Sequence, residues 1–278
     1  MSLDTISDKG FEIKPRQSSR HPAKYLTDTD FADDIALISN SLVNAQCLLQ
    51  SLEQASNCVG LFLNESKTEY VNRCMYDSDF VIKSLNNTLL KIVSNYVYLG
   101  SYISSSEKDF MTRKGKAWTA CNALHKIWTS NLNRDFKLKI FKATIEPILL
   151  YGSETWTLTK RLEKRLDGTY TRLLMRVQHL SWKNHPTKQM IYGTIPSVST
   201  IVKSRRVQFA GHCFRAENEI ISSLLLWKPS QSRGRSLSYP SVISRHTGII
   251  EQDLGRVMMD REVWRSIINS IISTKVEQ

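Results

Sequence analysis

The stretch Tyr25, Leu26, Thr27, Asp28, Thr29, Asp30, Phe31, Ala32, Asp33, Asp34, Ile35, Ala36, Leu37, Ile38 sets adjacent carboxylates on a tight turn between two apolar segments. Like charges a few ångströms apart repel, and desolvation beside a core raises their pKa values, so the pair is costly unless something offsets it. A divalent metal does so. In phosphoryl transfer, two metal ions about 3.5 to 4 Å apart activate the attacking hydroxyl and stabilise the leaving oxygen, and carboxylates hold them. The plainer reading of Asp33 and Asp34 is a solvated β-turn, where aspartate is common. Other residue types offer less. Cys47, Cys58, Cys74, Cys121 and Cys213 are widely spaced with no C-x-x-C pair, which reads as free thiols in a reducing compartment. His179, His185, His212 and Cys213 lack the spacing of a zinc knuckle. Trp118, Trp128, Trp156, Trp182, Trp227 and Trp264 could stack on bases, but those on apolar stripes read as core.

The elements that must position the acids are an α+β half and a helical half. Residues 1–24 mix charge, proline and serine without a clean period and read as an irregular lead-in. Tyr25 to Thr29 and Ile35 to Ser39 predict short strands around the acidic turn. Ser41 predicts an N-cap, and Ala45, Leu48, Leu49, Leu52, Ala55 and Val59 keep a helical period up to Gly60, a C-cap glycine. Leu61 to Leu63 and Thr68 to Val71 predict a hairpin around Asn64, Glu65 and Ser66, and Phe80 to Tyr102 a further strand pair. After Ser106 the period becomes helical: one helix through Met111, Lys114, Trp118, Cys121, Leu124 and Trp128, a second from Asp135 with a bend at Pro147, a third from Lys160 to Trp182. Shorter helices follow at 198–214 and 254–271, separated by a Ser, Arg, Gly and Pro-rich linker at 228–241.

Charge points to a partner class. With 38 Lys and Arg against 26 Asp and Glu, the formal charge is +12, which favours polyanions such as nucleic acid. Arg113, Lys114, Lys116, Lys126, Arg134, Lys137, Lys139 and Lys142 face one acid, Asp135, and read as a phosphate-tracking surface or, more plainly, as a solvated helix face. Lys160, Arg161, Lys164, Arg165, Arg172 and Arg176 extend the bias, Lys203, Arg205, Arg206 and Arg215 form another patch, and Arg233 and Arg235 sit in the linker. The amino terminus lacks an apolar signal region, and no apolar run reaches the roughly 20 residues of a membrane helix. The expectation is a soluble nuclear or cytoplasmic protein that is not secreted, so the sequons at Asn64 and Asn86 carry no weight.

Phe31, Ala32, Asp33, Asp34 resembles the F/Y-A-D-D motif of reverse transcriptases, motif C of their palm. Gly60, Leu61, Leu63, Asn64, Lys67, Thr68 and Glu69 resemble the G-L-x-L-N-x-x-K-T-E pattern of motif D in non-LTR enzymes, one helix later, and Tyr98, Leu99, Gly100 and Ser101 resemble the Y-L-G segment of motif E. Leu150, Tyr151, Gly152, Glu154 and Trp156, then Arg205, Arg206, Gly211, His212 and Arg215, and finally Asp260, Arg261, Trp264 and Arg265 resemble segments of RTE-like element proteins. The resemblance is therefore to the carboxy-terminal half of a LINE-type, non-LTR retrotransposon reverse transcriptase and covers nearly the whole chain from about residue 10.

That resemblance implies a partial palm over 25–104 with motifs C to E, a helical thumb over 105–184 and a helical extension over 185–278. It implies that Asp33 and Asp34 are catalytic and bind Mg²⁺, with Asp33 the more direct ligand. Lys67 is implied near the incoming deoxynucleoside triphosphate, able to neutralise pyrophosphate and donate a proton, though a solvated hairpin lysine is its plainer reading. Tyr98, Leu99 and Gly100 are implied as the primer grip, with RNA template and DNA primer as partners. Arg113, Lys114, Lys116, Lys126, Arg134, Lys137, Lys139, Lys142, Lys203, Arg205 and Arg206 are the expected nucleic-acid contacts. A complete palm draws another aspartate from motif A, and Asp4 and Asp8, in SLDTISDKGF, lack the strand context for it. The fingers and motif B are also missing, so the expectation is a fragment of an RNA-directed DNA polymerase that is inactive alone. The alternatives are a non-catalytic nucleic-acid-binding module or an element remnant.

Overall fold

The computed structural model describes residues 8–16, 18–20, 22–72, 80–216, 218–228 and 238–273. Asp4, Cys74, Arg233 and Arg235 lie outside the described residues. The chain is α+β with helix predominating, and it divides into two units, Met1–Tyr96 and Val97–Gln278.

The first unit is built from short sheets around one helix. β1 (Phe11–Lys14) pairs antiparallel with β2 (Lys24–Leu26), and β3 (Asp28–Phe31) with β4 (Asp34–Leu37). The expected irregular lead-in therefore contains a strand. Gly10 makes its approach possible, because a Cβ there would lie 2.6 Å from the Leu26 carbonyl oxygen. α1 (Leu42–Cys58) starts where the sequence predicts: the Ser41 hydroxyl accepts from the Asn44 amide, and Gly60 at φ +78° follows its end. Leu42, Leu49, Ile82 and Leu90 form the small core. No hairpin forms around Asn64. β5 (Glu69–Tyr70) instead pairs in parallel with β6 (Lys91–Ile92), because Asn64 draws the preceding chain into a turn.

The second unit opens with a hairpin, β7 (Val97–Tyr98) and β8 (Ser101–Tyr102), and continues as helices. α2 (Ser106–Ala123) and α3 (His125–Trp128) replace the single helix expected through Trp128. The break at Leu124 lets the Trp128 indole donate to the Cys121 carbonyl at 2.7 Å while its ring stays buried. α4 (Arg134–Leu149) keeps Pro147 in its last turn. α5 (Lys160–Val177) ends earlier than expected, closed by His179 at φ +56° and by the Leu180 amide on the Met175 carbonyl. These helices share a core that includes Phe110, Phe141, Ile145, Leu166, Tyr170 and Leu173.

α6 (Lys188–Tyr192), α7 (Val198–Phe214), α8 (Glu219–Leu225), α9 (Tyr239–Thr247), α10 (Leu254–Met259) and α11 (Arg261–Ser273) complete the unit. α9 starts inside the expected linker, with Pro240 in its first turn, where a missing donor costs nothing. The expected 254–271 helix is two, divided at Asp260, whose carboxylate accepts from the Glu262 and Val263 amides. A second core joins Val207, Ala210, Ile243, Leu254, Met258 and Trp264. Trp264 lies against Gly211, where a Cβ would come within 2.2 Å of its indole nitrogen, and that nitrogen donates to the Val207 carbonyl at 2.9 Å.

Candidate functional site

In the first unit, Asp33 and Asp34 stand at the exposed end of the β3–β4 hairpin. Phe31 pairs with Asp34, so Ala32 and Asp33 make a two-residue turn, and Ala32 takes the positive φ of +54° that such turns demand. Strand alternation sends Asp28 and Asp30 to the face shared with Ile35 and Leu37, opposite to the face of Asp34. The Asp30 carboxyl is pushed upward, first by burial and then by the neighbouring Asp28 charge. Among the described residues, no three His, Cys, Asp or Glu side chains converge as metal ligands. Asp33 and Asp34 alone do not make up the ligand set of a two-metal centre, and the described residues add no third ligand beside them.

Lys67 is exposed at the end of a turn that Asn64 builds. The Asn64 side-chain oxygen accepts from the Lys67 amide at 3.2 Å and the Ser66 hydroxyl at 2.8 Å, while its carbonyl takes the Lys67 and Thr68 amides and the Thr68 hydroxyl. Glu69 pairs with Lys91 at 2.6 Å across the parallel strands. Asn64, Thr68 and Glu69 are thus structural, and Lys67 is the residue of the group whose ammonium head has no partner among the described residues.

In the second unit, Tyr98 pairs with Ser101 across a turn in which Leu99 (φ +47°) and Gly100 (φ +79°) are both left-handed. Leucine rarely adopts this conformation, so the surroundings must enforce it. The Tyr151 hydroxyl donates to the Leu99 carbonyl at 2.9 Å, and the Arg113 guanidinium donates to the Gly100 carbonyl while lying 4.2 Å over the Tyr151 ring. Beneath them, buried Asp109 accepts from the Ser101 hydroxyl, the Tyr102 amide and, at 2.8 Å, the Trp156 indole. Gly152 passes so close that a Cβ would sit 2.5 Å from the Ser101 hydroxyl. Sequence reasoning singled out Tyr151, Gly152 and Trp156 without a role and missed Asp109. Their role is to hold this turn.

The expected nucleic-acid contacts differ in exposure and in the partners they engage. Arg113, Lys137 and Arg206 are corrections, because all three are buried. Lys137 donates to the Trp128 and Ser130 carbonyls, each at 2.8 Å, and Arg206 donates to the carbonyls of Glu154 and Trp156. Composition counts their charge, but the backbone consumes it. Arg134 is exposed and donates to Gln178 at 2.6 Å. Lys203 and Arg205 pair with Glu163 (2.9 Å) and Glu146 (3.2 Å). Lys116, Lys126, Lys139 and Lys142 are exposed, Lys114 is half-buried, and none of the five has an acid partner among the described residues. The helix α5 carries the denser set. On α5, Lys160, Arg161, Lys164 and Arg172 are exposed without partners among the described residues, while its acids Glu163 and Asp167 are engaged by Lys203 and the Ser199 amide. No described helix is long and apolar enough to cross a membrane.

No protein-family model matches the chain, and no solved structure does. A Caenorhabditis elegans protein described as transposon-derived and uncharacterised is 30% identical over 216 residues, covering 73% of this chain and 77% of its own length. At that identity and coverage, the chain belongs to a family of transposon-derived proteins.

Proposed function

We propose that the chain is part of a LINE-type, RNA-directed DNA polymerase, with Asp33 and Asp34 as part of its metal-binding carboxylates and the helical unit holding the RNA template and DNA primer. The supporting observation is the order of three motifs within a transposon-derived family: F-A-D-D at an exposed hairpin tip, the Asn64 turn that leaves Lys67 free, and Y-L-G in a left-handed turn held from below. In this reading Lys67 neutralises the triphosphate of an incoming deoxynucleotide, because an unpaired ammonium is the group with charge to spare. Tyr98, Leu99 and Gly100 face the primer strand. Gly100 is suited to the turn that presents them, since its φ of +79° is a conformation glycine adopts without strain. In this reading Asp33 and Asp34 are two of the carboxylates that a two-metal site needs, and the chain does not polymerise by itself.

Primer extension tests both parts. The chain alone, with Mg²⁺, template, primer and deoxynucleotides, should incorporate nothing above background. The chain fused to a segment supplying the fingers, motif B and the third palm carboxylate should extend the primer, and Asp33→Ala should return it to background. Extension unaffected by Asp33→Ala would refute the polymerase reading, and extension by the unfused chain would refute its incompleteness. The second reading, a binding module without catalysis, draws on the unpaired cations of α5 and predicts duplex binding with no Asp33-dependent extension.

A further inference from the structure

Of the six tryptophans, Trp128, Trp156 and Trp264 are buried and Trp118 and Trp227 half-buried, whereas Trp182 is 61% exposed. Its indole makes no side-chain hydrogen bond or ring contact among the described residues. The ring stands on the connection between α5 and α6, whose ends are tied together. The Gln178 side chain donates to the Ile191 carbonyl at 2.8 Å, and Arg134 donates to the Gln178 side chain at 2.6 Å and to the same carbonyl at 3.5 Å. Residues 179–190 therefore leave and return at one place, the form of an Ω-loop. Inside the loop, His179 (φ +56°) and His185 (φ +44°) both take the left-handed conformation, which non-glycine residues keep only where their surroundings hold it. A 3₁₀ turn over Trp182–Asn184 begins at Ser181, whose hydroxyl accepts from the Lys183 amide, and closes with the His185 amide on the Trp182 carbonyl at 3.0 Å. Leaving so large a ring in water forgoes the stabilisation of burial, and the braced loop keeps it from folding onto the nearest apolar surface.

Charge says what covers the ring. Between Asp167 and Glu217 the sequence has no Asp or Glu, and Lys183 and Lys188 on this loop are exposed with no acid partner among the described residues. A partner that is anionic and also offers flat faces is nucleic acid with its bases unpaired, because a duplex hides those faces in its own stack.

We propose that Trp182 is a stacking platform for an unpaired nucleobase of a single strand, whose backbone phosphates are met by Lys183 and Lys188. The proposal rests on the nucleic-acid reading above for the class of partner and goes beyond it in giving the unpaired part of that partner a place, the loop between α5 and α6. Stacking on a ring tolerates every base, so binding should be independent of sequence, with the lysines adding a dependence on salt.

The test is fluorescence anisotropy of the full chain with labelled oligothymidylate and with an abasic strand of the same length, each titrated across salt. Oligothymidylate should bind more tightly than the abasic strand, and Trp182→Ala should weaken it by roughly 5- to 150-fold, the loss of one base–aromatic stack. Trp182→Phe should keep most of the affinity and Trp182→Leu should not, which separates stacking from apolar contact. On the abasic strand, Trp182→Ala should bind like the parent. Lys183→Ala with Lys188→Ala should lower the slope of log affinity against log salt by about 1.4, at about 0.7 for each lost single-strand phosphate contact, a slope that Trp182→Ala leaves alone. A Trp182→Ala that binds oligothymidylate like the parent would leave the ring to a protein partner and overturn the assignment. So would an equal loss on the abasic strand, a Trp182→Leu as tight as the parent, or a lower unfolding midpoint in Trp182→Ala. Asp33→Ala should bind like the parent, so failure of the polymerase reading and failure of this platform are distinguishable.

Discussion

At Asp109 one carboxylate collects a serine hydroxyl, a backbone amide and an indole N–H from segments far apart in the chain. Nothing local marks it: in sequence it is one acid in the first turn of a helix, where acids are ordinary. The same blindness explains Arg113, Lys137 and Arg206, since a list of residues gives a charge and only the fold says which carbonyls it serves. His246 is a further case. Its Nδ1 is buried with no hydrogen-bond partner among the described residues, and its pKa is pushed down to about 4, first by burial and then by Arg206, Lys203 and Arg245. The unfolded chain therefore takes up this proton at higher pH than the folded one, so stability present above pH 6.5 is lost as pH falls towards 4. The loss should amount to at most roughly 3 kcal/mol. Urea unfolding of the parent and His246→Gln at a series of pH values checks it, because raised carboxyls such as Asp167 act in the opposite sense in both proteins. Parallel curves would remove the assignment.

Single elements were far more legible than their junctions. The period of α1 and its Ser41 and Gly60 boundaries follow from local rules, and so does the acidic hairpin. The breaks at Leu124 and Asp260 do not, because each is set by tertiary demands: the Trp128 indole needs a carbonyl, and α11 needs a cap. The Asn64 turn was misread as a hairpin because the partner of β5 is β6, far along the chain. Gly168 gives a prediction at this scale. It occupies the interior of α5 with open space where a Cβ would be, so Gly168→Ala should stabilise the protein by about 0.5 to 1 kcal/mol. Denaturant melts read the change directly. A lower midpoint would mean that the glycine serves the fold.

Across the whole chain, burial is distributed unevenly. The first unit gathers Leu42, Leu49, Ile82 and Leu90 in its core while Phe31, Val59, Leu61 and Phe62 remain exposed, whereas the helical unit buries whole rows of aromatic and aliphatic side chains. Hydrophobic stabilisation follows area removed from water, so the two units should not share one stability. Hydrogen exchange in mild urea should release the amides of Leu48 and Leu49 in α1 well before those of Leu173 and Leu174 in α5. Simultaneous release would show a single cooperative body. This unevenness was only partly legible: the change from strands to helices marked two halves, but how poorly the first half covers its apolar residues depends on contacts that no periodicity reports.

Gly211 and Trp264 have a bearing on descent. The indole fills the space that any other residue at position 211 would occupy, so a change at either position alters what the other can tolerate. In drifting genomic copies of the element, the two codons should mutate independently once the product is no longer needed. Where folding still matters to the host or the element, a larger residue at 211 should travel with a smaller one at 264.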